Sequence, residues 1–332
     1  MKKYFFSIII PVKRINSYVY ETVKHIQNQN YNNWEVIIVE NTLSKKINFK
    51  NRKIKVISSG TDGPGDKRDL ASKLAMGEIL AFLDDDSFPS KNYLNTANFF
   101  FNKYKKIAGL GGPSITPNSN SLFQKVSGSV FLSKYSGGFP ERYVSYKKIK
   151  SINDWPSVNL MIKKKHFCQV EGFNCKFWPG EDTDLCYKIT KKLNLKLLYI
   201  PNLIVFHHRR ESLIAHIKQI SAYGLHRGFF FKTKPETSRK IKFLFPSLFF
   251  IFCLVSGITL IFNFESYLTL PFILLWIVYL LMLIKCFYDI QFYNNNLLIS
   301  FLSLPLIFIT HFFYGMYFIK GSLSKNLISK LR

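Results

Sequence analysis

The triplet Asp84-Asp85-Asp86 closes a short apolar run, Ile79 to Leu83, in a chain whose charge is otherwise strongly positive. Carboxylates a few ångströms apart repel one another, and a divalent cation relieves that repulsion. Mg²⁺ is commonly held by one or two carboxylates together with the oxygens of a substrate phosphate. The triplet therefore points to chemistry on a phosphate-bearing donor. Ile79–Leu83, approached through Gly77, reads as a buried parallel strand. Ligands of open α/β sheets collect beyond the carboxyl ends of such strands.

Two further groups fall where the same ligand could use them. Glu40 closes the apolar run Trp34 to Val39, and its carboxylate can accept hydrogen bonds from a nucleobase N–H or a ribose hydroxyl. Lys67 and Arg68 follow a Gly63-Pro64-Gly65 turn at a helix start, where backbone N–H groups and the helix dipole favour anions. Nucleotide binding accounts for both; a basic helix face accounts for Lys67 equally.

The elements that must position these residues are legible in the periodicity. Ser7–Ile10, Trp34–Val39, Ile54–Ile57 and Ile79–Leu83 are the predicted strands. Val19, Val23 and Ile26 repeat at helical spacing within Ser17–Gln29, and a second helix is predicted over Lys67–Met76. This β-α-β rhythm implies an α/β fold with a mostly parallel sheet and right-handed crossovers. The run Phe5–Ile10 is too short to span a membrane and precedes no small-residue cleavage site, so it reads as a first strand and no secretory signal is expected.

Composition narrows the function classes. The 332 residues carry 46 Lys and Arg against 20 Asp and Glu, a formal charge of +26, which suggests an anionic partner. A hydrophobic content of 48% with 33 Phe excludes a disordered basic tail. Cys168, Cys175, Cys186, Cys253 and Cys286 form no C-x-x-C pair, which fits reduced cytosolic thiols rather than a disulfide framework or a zinc site.

From about Phe243 the character changes. Residues 244–262, 268–284 and 297–319 are nearly uncharged and long enough to cross a bilayer, the third interrupted by Pro305 and His311. Ser238-Arg239-Lys240-Ile241-Lys242 precedes them, and the positive-inside rule then places the N-terminal part in the cytoplasm. Three spans would put the tail outside, yet Lys320, Lys325, Lys330 and Arg332 are positive. Either one segment re-enters or the first cluster dominates. Between the two regimes, residues 211–230 place Leu213, Ile217 and Ile220 on one face, as an interfacial helix on the bilayer or as an ordinary packed helix would. The domains expected are 1–234, cytoplasmic, and 235–332, membrane-embedded.

Several motifs in order make the N-terminal part resemble a family 2 glycosyltransferase of the GT-A fold. They are Ser7-Ile8-Ile9-Ile10-Pro11-Val12, Gln29 to Asn41, Gly63 to Asp69, Asp84-Asp85-Asp86 and Gly180-Glu181-Asp182-Thr183-Asp184. The resemblance covers residues from about 5 to 230. It implies a nucleotide-diphosphate sugar donor contacted by Pro11, Glu40, Lys67, Arg68, Asp84, Asp85 and Glu181, with Glu40 standing where the family usually has Asp. Asp84 to Asp86 resemble the D-x-D motif, Asp84 facing the nucleoside and Asp86 a divalent cation, Mn²⁺ or Mg²⁺. A histidine completes that metal site in the family, and either His207 or His208 can serve. Arg209 and Arg210 suit a diphosphate leaving group or an anionic lipid surface. Asp182 is the expected general base of an inverting transfer, although Glu181, Asp182 and Asp184 also stabilise the first turn of a helix through Ile189. Asp184 is the alternative base. Gly111-Gly112-Pro113 and Trp155 to Asn159 resemble acceptor-side loops, Trp155 stacking on a sugar or filling the core.

The resemblance thus implies a membrane-anchored enzyme of the bacterial inner membrane, with its catalytic domain cytoplasmic and a lipid-linked glycan as acceptor. A polyprenyl-phosphate sugar synthase is the second enzymatic reading. Processive synthesis is disfavoured, because Gln219-Ile220-Ser221-Ala222-Tyr223 departs from a Gln-x-x-Arg-Trp pattern. A non-enzymatic basic membrane protein, binding nucleic acid or anionic lipid by charge alone, would leave the strand-end acids unexplained; no nucleic-acid partner is expected.

Overall fold

The structure is a computed structural model that describes residues 1–43, 49–61, 63–146, 148–173, 177–262 and 269–327. Cys175, Leu268, Lys330 and Arg332, named above, lie outside the described residues. In chain order the elements begin with β1 (Phe6–Pro11), α1 (Ser17–Gln27), β2 (Trp34–Glu40), β3 (Ile54–Ser58), α2 (Pro64–Leu74), β4 (Ile79–Phe82) and β5 (Ser87–Pro89). There follow α3 (Tyr93–Lys103), β6 (Ile107–Gly111), β7 (Ser114–Ile115), α4 (Leu122–Ser129), β8 (Lys150–Ile152), β9 (Leu160–Lys163), α5 (Lys164–Gln169) and α6 (Glu181–Tyr187). The chain continues through β10 (Lys196–Tyr199), β11 (Val205–His207), α7 (Leu213–Thr233), α8 (Pro235–Ser238), α9 (Ile241–Phe262), α10 (Leu270–Asn294) and α11 (Leu297–Leu323).

The predicted strands form, with small changes at their ends. Helix α2 starts three residues earlier than predicted, because Gly63 caps it and Pro64 takes its first turn, where a fixed φ and a missing N–H are no handicap. Helix α1 is capped by the Asn16 side chain, which accepts from Val19 N.

An eight-stranded sheet runs β3-β2-β1-β4-β9-β6-β10-β8. Its β3, β2, β1 and β4 are parallel, and β9 is antiparallel to both β4 and β6. Side chains alternate across it. Phe6, Ile8 and Ile10 join Val19, Val23 and Ile26 in one core layer, while Ile9 joins Ala71, Phe82, Phe173 and Leu185 in the other. A second sheet of three strands, β5-β11-β7, stands apart from the first in its hydrogen bonding.

The chain divides into two compact units, which differ from the domains expected. One holds residues 1–117 and 145–208; the other holds 118–144 and 209–327. The described cut therefore falls at 208/209 rather than 234/235, and 118–144 goes with the apolar helices. Packing explains both. Val126, Val130 and Leu132 share a buried cluster with Cys286, Ile290, Ile299, Leu306 and Ile307. Helix α7 packs closely on α11: a Cβ at Gly224 would lie 2.4 Å from the Tyr314 carbonyl, and one at Gly228 1.9 Å from that of Phe318, so only glycine lets the two backbones approach this closely. Helices α9, α10 and α11 are each long and apolar enough to cross a membrane.

In the first unit Asn159 is fully buried. Its Nδ2 donates to the carbonyls of Pro113, 2.9 Å, and Leu203, 2.8 Å, and its Oδ1 accepts from Tyr93 Oη at 3.0 Å. These bonds tie the exits of β6 and β10 to the start of β9. Asn159→Ala strands polar groups in the core, each costing about 1–3 kcal/mol. Thermal or urea unfolding of the detergent-solubilised variant is expected to show a loss of at least about 2 kcal/mol.

Candidate active site

Three acids emerge where β4 stops. Leu83 N still bonds Ile9 O at 3.1 Å, and then the chain turns. Ser87 Oγ accepts from Asp84 N at 3.1 Å and donates to Asp84 O at 2.9 Å, which fixes the turn and starts β5. Strand β5 pairs antiparallel with β11, so that His207 stands opposite Ser87, and His208 N donates to Asp86 O at 2.9 Å. His207 Nε2 consequently lies 2.9 Å from Asp86 Oδ1. One ligand atom each from Asp84, Asp86 and His207 falls within 4.8 Å of the other two. Two hard carboxylates and an imidazole fit a divalent ion such as Mn²⁺ or Mg²⁺ better than a thiophilic one.

The histidine pair splits. Successive side chains at a strand end diverge, and His208 is carried away from the carboxylates. Its Nε2 lies 2.8 Å from Glu21 Oε2 and its ring stacks on Tyr18 at 4.4 Å. His207, not His208, is therefore the histidine that the structure brings to Asp86. Asp85 stands outside the triad, with Oδ2 3.4 Å from Asn16 Nδ2.

Arg68 links this cluster to the second acidic motif. It is 3% exposed, with Nη2 2.6 Å from Asp84 Oδ1 and Nη1 3.2 Å from Glu181 Oε1, and its guanidinium sits 5.4 Å from the Phe173 ring centre. Lys67 is buried as well, its Nζ donating to Val12 O and Asn41 Oδ1. Because α2 begins at Pro64, both cations lie a turn inside the helix. Both are bound to protein groups. Pro11 ends β1 and Glu40 ends β2, both buried, with Glu40 fully so.

Helix α6 carries the late acids. Gly180 precedes it at φ 122°, a backbone that favours glycine. Glu181 is buried, and burial together with the neighbouring Asp182 charge pushes its pKa up to about 7, with Arg68 pulling the other way. Asp184 pairs with Lys188 at 3.3 Å. Asp182 is half-buried, and its Oδ1 accepts from Thr183 N at 2.7 Å. Thr183 Oγ1 in turn donates to Asp154 Oδ1 at 3.0 Å.

Trp155 fills the core instead of facing a sugar. It is 1% exposed, its Nε1 donates to Gly112 O at 3.0 Å, and a Cβ at Gly111 would come within 2.5 Å of its ring. Arg209 and Arg210 belong to the other compact unit. There Arg209 N donates to Asn120 Oδ1 at 3.1 Å and its guanidinium lies 4.9 Å from the Tyr143 ring centre. Sequence reasoning overlooked Glu21, Ser87 and Phe173. Only Ser87 left a signal, a hydroxyl three residues after Asp84 at turn-capping spacing.

Residues 7–165 match the family described as Glycosyl transferase family 2. The chain carries a family 2 glycosyltransferase domain. It is 25% identical over 280 residues to a dolichyl N-acetyl-alpha-D-glucosaminyl phosphate 3-beta-D-2,3-diacetamido-2,3-dideoxy-beta-D-glucuronosyltransferase of Methanococcus voltae, covering 76% of this chain and 80% of that protein. It is 28% identical over 140 residues to the Escherichia coli UDP-Glc:alpha-D-GlcNAc-diphosphoundecaprenol beta-1,3-glucosyltransferase WfgD, covering 38% of this chain and 51% of WfgD. Other curated relatives match over 38% of this chain and 20% to 24% of their own length. The fold is shared with the mannosyltransferase PcManGT from Pyrobaculum calidifontis, solved in complex with GDP-Man and Mn²⁺, at a TM-score of 0.62 and 11% identity over 91% of this chain and 86% of that one.

The glycosyltransferase domain is expected to show a pH signature from Glu181. A buried acid with a raised pKa holds a proton that the unfolded chain has already released. Its stabilising contribution is full below about pH 4.5 and is lost as pH rises through about 7. Thermal unfolding in EDTA between pH 5 and 8 is expected to fall less steeply for Glu181→Gln than for wild type; equal slopes would remove Glu181 as the titrating group. Trp155→Ala is expected to destabilise the domain by about 3–5 kcal/mol, read in the same assay.

Proposed function

We propose that this chain is a membrane-anchored, cation-dependent, inverting glycosyltransferase that moves a sugar from a nucleotide diphosphate to a lipid-linked glycan. The convergence of Asp84, Asp86 and His207 within 4.8 Å, tied through Arg68 to the first turn of α6, is the observation that carries this reading. In it Asp84, Asp86 and His207 would hold the cation, which when bound neutralises charge on the diphosphate of the donor. Arg68 keeps Asp84 aimed at the site. Buried between two carboxylates, it also holds α6 so that Asp182 stands beside the reacting centre.

Asp182 serves as general base. Its carboxylate takes the proton from the acceptor hydroxyl as that oxygen attacks the anomeric carbon and the bond to the diphosphate breaks. Of the three acids in this turn, Glu181 and Asp184 are buried whereas Asp182 is partly accessible, which favours Asp182. Attack from the face opposite the leaving group inverts the anomeric centre.

The lipid-linked acceptor rests on the apolar helices that follow and on the names of two relatives, whose acceptors are a sugar on a dolichyl phosphate and a sugar on a diphosphoundecaprenol. Those names favour a lipid that already bears a sugar over a bare polyprenyl phosphate.

The test uses the full chain in membranes or detergent. UDP-, GDP- and dTDP-sugars are screened with Mn²⁺ or Mg²⁺ for a raised unfolding temperature, which a true ligand produces by mass action. The matching labelled donor is then offered with a lipid-diphosphate sugar or with a polyprenyl phosphate. One donor is expected to stabilise only with cation, and Asp86→Ala to erase that dependence. Asp182→Asn is expected to lower transfer about 10²–10⁴-fold while keeping the donor-induced shift. Wild-type turnover by Asp182→Asn would end its role as base, and labelling of the bare phosphate alone would make the enzyme a polyprenyl-phosphate sugar synthase.

A further inference from the structure

Helices α9, α10 and α11 match one another in length and apolarity, but not in how they are covered. Helix α10 exposes Leu270, Ile273, Leu274, Leu275, Val278 and Leu281, each 42% to 60% accessible, as a helix bathed in lipid does. Between Leu306 and Ile319 of α11 no residue is exposed. Besides α9 and α10, α11 is covered by chain that carries polar and charged groups. Its first half packs against 118–144, through the cluster of Val126, Val130, Ile299, Leu306 and Ile307, with His311 Nε2 3.0 Å from Ser136 O. Its second half packs against α7, through Gly224 and Gly228 and the buried chain Ser127–His216–Thr310 at 2.8 and 2.9 Å. Helix α7 bears Lys218, Arg227 and Lys232, charges that are costly to carry through hydrocarbon.

The contacts also fix where α11 begins and ends. Phe249 stacks on Tyr279 and Phe252 contacts Trp276 and Phe272, so α9 and α10 are antiparallel and the N-terminus of α9 shares a side with the C-terminus of α10. Helix α11 starts beside that end of α10, where Ser300 Oγ donates to Gln291 Oε1 at 2.9 Å. It passes the first turns of α9, where a Cβ at Gly315 would lie 2.0 Å from Pro246 O, and finishes beside the end of α7, where Lys232 Nζ donates to Ser324 O and Arg239, just before α9, bonds Phe231 O. Both ends of α11 are therefore on one side of the α9–α10 hairpin. The same side carries the charged end of α10, where Asp289 accepts from Ser133 Oγ at 2.8 Å.

We propose that only α9 and α10 cross the membrane, and that α11 and α7 form a layer lying in the headgroup region of the leaflet at which α9 begins and α10 ends. Exposed Lys232, Arg239, Lys240, Lys320 and Lys325 gather where α7, α9 and α11 meet, Lys232 Nζ donating to Ser324 O and Arg239 Nε to Phe231 O at 3.0 Å. They are placed to meet anionic lipid phosphates. This arrangement puts both basic clusters on one side and removes the conflict that three spans create under the positive-inside rule. It is independent of the transfer chemistry.

The test is the side on which the C-terminus lies, in the full chain in cell membranes. Single cysteines, Lys325→Cys and Ser266→Cys, are made in a background with the native cysteines replaced by Ala and exposed to a membrane-impermeant maleimide before and after permeabilisation. Lys325→Cys is expected to react only after permeabilisation, and Ser266→Cys, between the two spans, before it. Reaction of Lys325→Cys from outside would overturn the proposal. Since Cys186 and Cys286 are buried and their loss can impair folding, wild-type chains fused at the C-terminus to green fluorescent protein or to alkaline phosphatase provide a second readout. Fluorescence with an inactive phosphatase is expected; active phosphatase with no fluorescence would overturn it.

Discussion

Arg68 is the constraint around which the candidate site is built. A guanidinium that is 3% exposed must be charge-paired, because a lone buried cation is far costlier than the pair, and removing one partner of such a bridge typically costs about 3–5 kcal/mol. Its two carboxylate partners come from different parts of the chain, Asp84 beyond β4 and Glu181 at the head of α6. One buried charge therefore locks the strand-end acids to the helix that carries Asp182. The same interaction raises a tension, since Asp84 is both a partner of Arg68 and a member of the candidate metal triad. A cation bound there would share Asp84 with Arg68, and Glu181, already pushed towards neutrality by burial, is the group able to absorb the change in charge.

The small sheet does the second part of the positioning. Only because β11 pairs antiparallel with β5 does His207 stand opposite Ser87 and reach Asp86. Backbone register, rather than any attraction between the side chains, chooses between two adjacent histidines. A slip of one residue would exchange their faces, placing His208 at the carboxylates and His207 beside Glu21.

Close glycine packing plays the corresponding part in the other unit. Gly224, Gly228, Gly315 and Gly321 let backbones meet where any side chain would collide. Hydrogen bonds from Ser127, His216 and Thr310 fasten the same helices. Apolar composition alone makes α11 resemble its two neighbours, whereas its partners make it different. What packs against a hydrophobic helix cannot be read from its length.

Much was readable from local pattern. The first four strands, α1 and the family motifs follow from apolar periodicity, turn residues and strand-end acids, since these depend only on neighbours in sequence. The start of α2 was misplaced because Pro64 was read as a turn residue instead of a first helical residue. Tertiary structure decided everything that depends on distant partners: that Lys67 and Glu40 are buried, that Trp155 belongs to the core, that Arg68 is a bridge, and that His207 and not His208 joins Asp86. It also decided that 118–144 and 209–234 pack with the apolar helices. Residue type and spacing state which chemistry a side chain can perform. Burial, register and pairing, which arise only when remote segments meet, determine which side chains are in a position to perform it.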